Sequence, residues 1–133
     1  MRRPLILVAA AVVLAGCGTT TSAGNFSGEQ STVAKVIDTL SSDGTSHNAS
    51  GICNDVFAPS IAARLKAQGE TCDSVVGDEL DSVDIFALTV QAVKITGTTA
   101  QVTVKTTSNG KNEVEKLDLV HEPDGSWRLS SFA

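Results

Sequence analysis

Apolar positions along the chain follow three patterns, and each predicts a different structure. The first is a solid block: residues 5–14 are apolar without interruption. Ten residues are too few to cross a bilayer as a helix, which takes about 20. The second pattern has the helical period. Val33, Val36, Ile37 and Leu40 fall at i, i+3, i+4 and i+7 and predict an amphipathic helix beginning near Gln30. Ser27 and Gln30 have capping-box spacing, and Ser31 is a second candidate cap. Ser41-Ser42-Asp43-Gly44 predicts the stop, with Gly44 in the left-handed conformation just past the last turn. Ile52, Val56 and Phe57 suggest a further short turn. Pro59 suits the first turn of a segment over residues 60–68, with Ile61, Ala62 and Leu65 inward and Arg64 and Lys66 outward. Residues 73–80 read as one more helix.

The third pattern alternates. Over residues 87–96, Leu88, Val90 and Ala92 share one face and Val93 and Ile95 the other, so the change of parity predicts a bulge near Ala92. Gly97-Thr98 marks a turn, after which Ala100, Val102 and Val104 alternate with Gln101, Thr103 and Lys105. Ser108-Asn109-Gly110 is a hairpin signal. A third strand over residues 111–122 follows, with Leu117 and Leu119 on its apolar face. Pro123-Asp124-Gly125 predicts a tight turn, and residues 126–132 a last strand with Trp127 and Leu129 on one side. Short loops make neighbouring strands antiparallel, and the helices must cover one sheet face. The fold class is therefore α+β: N-terminal helices packed on a curved four-stranded antiparallel meander.

The flanks of the apolar block change how the first thirty residues read. Met1-Arg2-Arg3-Pro4 precedes it and Leu14-Ala15-Gly16-Cys17 closes it. A basic start, an apolar centre and small residues at the exit make a secretory signal, and the arginines favour the cytoplasmic side. Leu14-Ala15-Gly16-Cys17 resembles a lipobox, the recognition site of the bacterial lipoprotein pathway. The resemblance implies cleavage before Cys17, a diacylglyceryl group on its thiol, and an extracytoplasmic chain anchored to the cell membrane. Residues 18–30, GTTTSAGNFSGEQ, have the composition of a flexible linker. The expected organisation is a signal peptide over 1–16, the lipidated cysteine and a tether over 17–30, and one domain over 31–133.

Cleavage would leave 117 of the 133 residues, enough for one domain of about 100 residues. Two of the ten basic residues leave with the signal, so eight face fifteen acidic ones and the formal charge is −7. That argues against nucleic acid as a partner, which needs a basic patch, and against a polybasic grip on anionic lipid. With Cys17 assigned to lipid, Cys53 and Cys72 remain. Two such cysteines in an exported domain most often pair. Closing a loop of this size stabilises by about 3 kcal/mol in the chain-entropy model. The alternative, a metal or redox pair, has no Cys-x-x-Cys spacing behind it, and His47 and His121 are the only histidines. Asp73, Asp78, Glu79, Asp81 and Asp84 form the densest charge run, but they lack the calcium-loop pattern and read as a solvated face. No metal and no cofactor are expected.

A capped first helix, a cysteine-bearing helical segment, a second cysteine and a meander ending Asp124-Gly125-Ser126-Trp127-Arg128-Leu129 together resemble the NTF2-like (cystatin-like) superfamily. More narrowly, they resemble the small actinobacterial-type lipoproteins that carry such domains, over about residues 30–133. The resemblance implies a helix-covered, cone-shaped sheet able to enclose a pocket. It also implies two kinds of role, since the superfamily includes ketosteroid isomerases and polyketide cyclases. Isomerase chemistry of that kind uses a carboxylate base and a tyrosine hydroxyl, and this chain has no tyrosine.

His121 shares parity with Leu117 and Leu119 and is the candidate for acid–base work, against the plainer reading of a strand-end surface histidine. Trp127 is a candidate ligand platform, against the plainer reading of a core residue. Asp38 lies off the apolar stripe and is expected at the surface. No Gly-x-Ser-x-Gly, His-Glu-x-x-His or phosphate-binding loop is present. The expectation is a non-catalytic binding or accessory module of the cell envelope, holding an envelope protein or an apolar ligand near the membrane. A small isomerase- or cyclase-type enzyme and a purely structural lipoprotein are the alternatives.

Overall fold

The computed structural model describes residues 22–82, 87–108 and 110–132. The expected signal segment and Cys17 lie outside them. The helical stripe forms α1 (Gly28–Thr45), which buries Val33, Ala34, Ile37 and Leu40. The helix runs past its predicted stop. Gly44 stays inside it, and the left-handed residue is His47, at φ 56°. There the Asn48 N–H donates to the Asp43 carbonyl at 2.8 Å and the His47 N–H to Gly44 at 3.3 Å. This is the six-to-one and five-to-two closure of a helix end. The Asn48 side chain then accepts from the Gly51 N–H at 3.1 Å and starts α2 (Ala49–Gly51). The stop is thus set by the residue that opens the next helix. A Cβ on Gly51 would strike the Asn48 side chain and Asp43 Oδ2, so this close approach requires glycine.

Helix α2 continues as a π-helical stretch, Ile52–Val56, whose two ends are both buried. The Phe57 N–H closes it on the Ile52 carbonyl at 2.9 Å. Helix α3 (Pro59–Ala67) starts on its proline and buries Ile61, while Leu65 is half-buried. Ala62 is exposed, against expectation, because this short helix meets the core along one narrow edge. Helix α4 (Cys72–Asp81) is capped by the Thr71 hydroxyl and buries only Leu80 fully.

The strands are β1 (Ala87–Thr96), β2 (Thr99–Ser108), β3 (Lys111–His121) and β4 (Trp127–Phe132), in the order β1-β2-β3-β4, with every neighbour antiparallel. The bulge in β1 falls between Val90 and Ala92. It therefore comes earlier than the apolar letters suggest. Val90 and Val93 share the buried face, and Ala92 is exposed. Buried residues from α1, the π stretch and all four strands form one continuous apolar cluster.

Both outer edges of the sheet are occupied. Along β1, the Leu88 N–H donates to the Ser41 hydroxyl at 3.1 Å, and the Val90 N–H to the Ser22 hydroxyl at 3.0 Å. The Gln30 side chain donates to the Val93 carbonyl at 3.1 Å. Along β4, the Ala58 N–H donates to the Leu129 carbonyl at 2.8 Å and Arg64 to the Ser130 carbonyl at 3.0 Å. Of the tether expected over residues 17–30, residues 22–30 belong instead to the folded domain: Ser22 is 2% exposed, residues 23–25 form a 3-10 turn, and α1 begins at Gly28. Linker composition describes what a segment does alone, and here side chains of α1 and a backbone N–H of β1 hold it.

Candidate functional site

His121 and Trp127 face each other as a cross-strand pair on the helix-covered side of the sheet. Their rings are tilted at 40° with centroids 4.9 Å apart. His121 Nε2 is 3.1 Å from the Gly125 carbonyl, and its backbone N–H donates to Thr98. The histidine is thus held by a turn carbonyl and an indole, and among the described residues no carboxylate orients it for proton transfer. Trp127 is 3% exposed and belongs to the core cluster. The turn that delivers it is held by Asp124, which accepts from the Ser126 hydroxyl at 2.6 Å and the Ser126 N–H at 2.9 Å. These two bonds, with the Arg128 charge nearby, hold the Asp124 carboxyl below its ordinary value. Gly125 completes the turn at φ 89°.

Cys53, in the π stretch, is bonded to Cys72, the first residue of α4, with S–S 2.03 Å and Cα–Cα 6.0 Å. Of the acidic run, Asp73, Asp78, Glu79 and Asp81 are exposed on α4, and Asp84 lies outside the described residues. Asp81 approaches His47 at 3.5 Å with both side chains exposed. Such a surface pair contributes little. The described residues bring no group of three or more His, Cys, Asp or Glu side chains into a metal-binding arrangement.

The space between helix and sheet, where the fold is able to enclose a pocket, is filled by Val33, Ile37, Val102, Val104, Leu119 and Leu129, all at most 1% exposed. Among the described residues the one buried polar side chain is Ser22. A cleft of about 720 Å³ lies instead at the surface, where the N-terminal segment, α1 and the start of β1 meet. It is lined by Phe26, Ser31, Lys35, Asp38, Ser41 and Leu88, among others.

Most of its polar groups are already engaged in structure. Asp38 accepts from the Ser22 and Ala23 N–H groups, both at 2.8 Å. The Ser31 hydroxyl donates to the Ala23 carbonyl at 3.1 Å, and Ser41 is held by Leu88. The surface position expected for Asp38 is corrected here: it is a half-buried clamp on the N-terminal segment. No local pattern in the sequence marks Ser22 or Asp38, since their partners lie 15 or more residues away. Phe26, a lone aromatic in a polar stretch, was the available signal, and it packs against the core.

Asp38→Ala is expected to release this segment. Two charge-assisted hydrogen bonds are lost, at a cost of about 2 kcal/mol. Amide exchange should then quicken about ten-fold or more at Val90, with Val102 unchanged. Equal protection of Val90 in both proteins would show that the clamp holds nothing.

No family model matches the chain, and no curated protein matches it. Solved structures do. An NTF2-like protein of unknown function from Shewanella baltica OS155 aligns with a TM-score of 0.54 at 15% identity, covering 77% of this chain and 89% of that one. A de novo designed NTF2-fold protein, NT-9, aligns with a TM-score of 0.46 at 13% identity, over 86% of this chain and 87% of its own. The four-stranded meander covered by N-terminal helices is therefore the NTF2-like α+β fold.

Proposed function

We propose that this chain is a membrane-anchored, extracytoplasmic lipoprotein whose NTF2-like domain is a non-catalytic accessory module of the cell envelope. On this reading it works through its outer surface. The observation that carries the proposal is the filled interior. In this fold, a site for an apolar substrate needs a cavity with a few convergent polar groups. Here the corresponding volume holds aliphatic side chains, and His121 is spent on a turn. The anchor rests on Leu14-Ala15-Gly16-Cys17 at the end of the apolar block. Two acyl chains hold far more firmly than one, since each buried methylene contributes about 0.8 kcal/mol.

The test uses full-length variants in the native host. Cys17→Ser, or globomycin treatment, is expected to stop palmitate incorporation and leave the precursor uncleaved. Processed protein found soluble in the medium would overturn the anchor. Restoration of a deletion strain's envelope phenotype should survive His121→Ala and fail with Cys17→Ser. The reverse result would favour an enzyme.

A further inference from the structure

The net charge of the processed chain hides a strong segregation. From Cys17 to the end of the helical half, residues 17–86 carry ten acidic and three basic side chains. Residues 87–133 carry five of each. All of the excess negative charge thus belongs to the helical half.

Within the sheet the charges divide again, by face. The register pairs Val104 with Glu115 and Thr106 with Glu113, which puts both glutamates on the helix side. On the opposite face stand Lys94 (paired with Gln101), Lys105 (paired with Thr89 and Val114) and Lys116 (paired with Thr103). Lys94 and Lys116 are exposed, Lys105 is half-buried, and exposed Gln101 and half-buried Thr103 lie among them. The acidic residue on this face is Asp118, opposite Gln101, and its carboxylate accepts from the Ser131 hydroxyl at 3.0 Å. Arg128 belongs to the same face but turns over the β4 edge to the Asn54 carbonyl. Three lysines on three adjacent strands span about 14 Å along the strands and about 10 Å across them.

We infer that this outer sheet face docks on anionic lipid headgroups. The inference rests on the proposed anchor at Cys17. Two observations support it. The first is charge: a lysine patch on the sheet backs onto a helical half that an anionic surface repels. The second is reach. Ser22 is fixed to Val90 at the free edge of β1, and Cys17 precedes it by five residues. Those residues span at most about 18 Å. The β1 edge therefore stays near the bilayer, and the domain can present either its helical side or its outer sheet face. The charges select the sheet. The patch escapes a count over the whole chain, which is negative.

The experiment uses the full-length, processed and acylated protein, mixed with vesicles of phosphatidylcholine alone or with about one-third phosphatidylglycerol. Flotation reads the anchor. Lysine acetylation with an N-hydroxysuccinimide ester, quantified by mass spectrometry, reads the docking. On anionic vesicles, labelling of Lys94, Lys105 and Lys116 is expected to fall about five-fold or more, the value of one lysine's contact with such a surface. Lys66 on α3 should label equally on both vesicle types. The protection should vanish in 1 M salt, where charges are screened beyond about 3 Å. Flotation with both vesicle types but equal labelling overturns the docking and leaves the anchor standing. Failure to float with either overturns both.

Discussion

Trp127→Ala is expected to destabilise the domain by about 3–5 kcal/mol, lowering its melting temperature by roughly 15–30 °C. The indole is 3% exposed and sits in the same cluster as Leu119 and Leu129. Its removal empties the largest volume that any one core side chain fills, in a chain with a single tryptophan, four phenylalanines and no tyrosine. The core relaxes only partly around such a gap. Thermal unfolding followed by far-ultraviolet circular dichroism checks this, since the variant loses its own fluorophore. A tryptophan displayed for a ligand would cost under about 0.5 kcal/mol when removed. A shift that small would return Trp127 to the list of binding residues and reopen the question of an enclosed site.

The second large effect concerns the disulfide. The double variant Cys53→Ser, Cys72→Ser is expected to lose about 3 kcal/mol, the value of closing a loop of this length. Wild type unfolded under reducing conditions should match it. The structure also says where the loss falls first. Helix α4 buries only Leu80 fully, with Val76 and Cys72 partly buried. Its grip on the rest of the molecule thus depends on the covalent link to the π stretch at Cys53. Amides of α4 should exchange by local opening in the variant, while those of β2 and β3 keep the protection of global unfolding. Uniform loss across all elements would mean that the bridge acts on the unfolded chain alone.

The sheet was largely legible in the sequence, and the reason is physical. Val102 and Val104 alternate with polar neighbours because one face of β2 is buried and the other is not. Turn residues sit at the joins between strands. What the sequence conceals is decided at a distance. The parity change in β1 announces a bulge, but its position depends on which residue faces Thr103 across the ladder, and that residue is Ala92. The end of α1 was read at Gly44, the best left-handed residue available. His47 takes that conformation because Asn48 must already be placed to cap the next helix. Ser22, in a polar stretch indistinguishable from linker, becomes the buried acceptor for Val90 only once β1 has formed. The cysteine pair was legible by counting, and the structure joins the two residues that the count left over. The fold's general habit of enclosing a pocket left open whether this interior holds one. That habit says nothing about how large the side chains lining a particular interior are.

The side chains laid along β1 have a further consequence for how copies of this protein behave beside one another. A strand with free N–H and C=O groups is a template on which another chain can grow a sheet. Ser22, Gln30 and Ser41 occupy those groups on β1, and residues 57 and 58 occupy them on β4. On the other side of the sheet a stretch of edge stays open. It is residues 111–116 of β3, which lie beyond the end of the β4 pairing. It reads Lys-Asn-Glu-Val-Glu-Lys, so Val114, 64% exposed, stands between two glutamates. Charges at that spacing are gatekeepers against strand addition. Aggregation resistance on the β1 side thus depends on Ser22, ahead of the first helix, together with Gln30 and Ser41 of α1. A chain trimmed past Ser22 would keep most of its core and free the Val90 N–H as a foothold for strand addition, with Gln30 and Ser41 still in place.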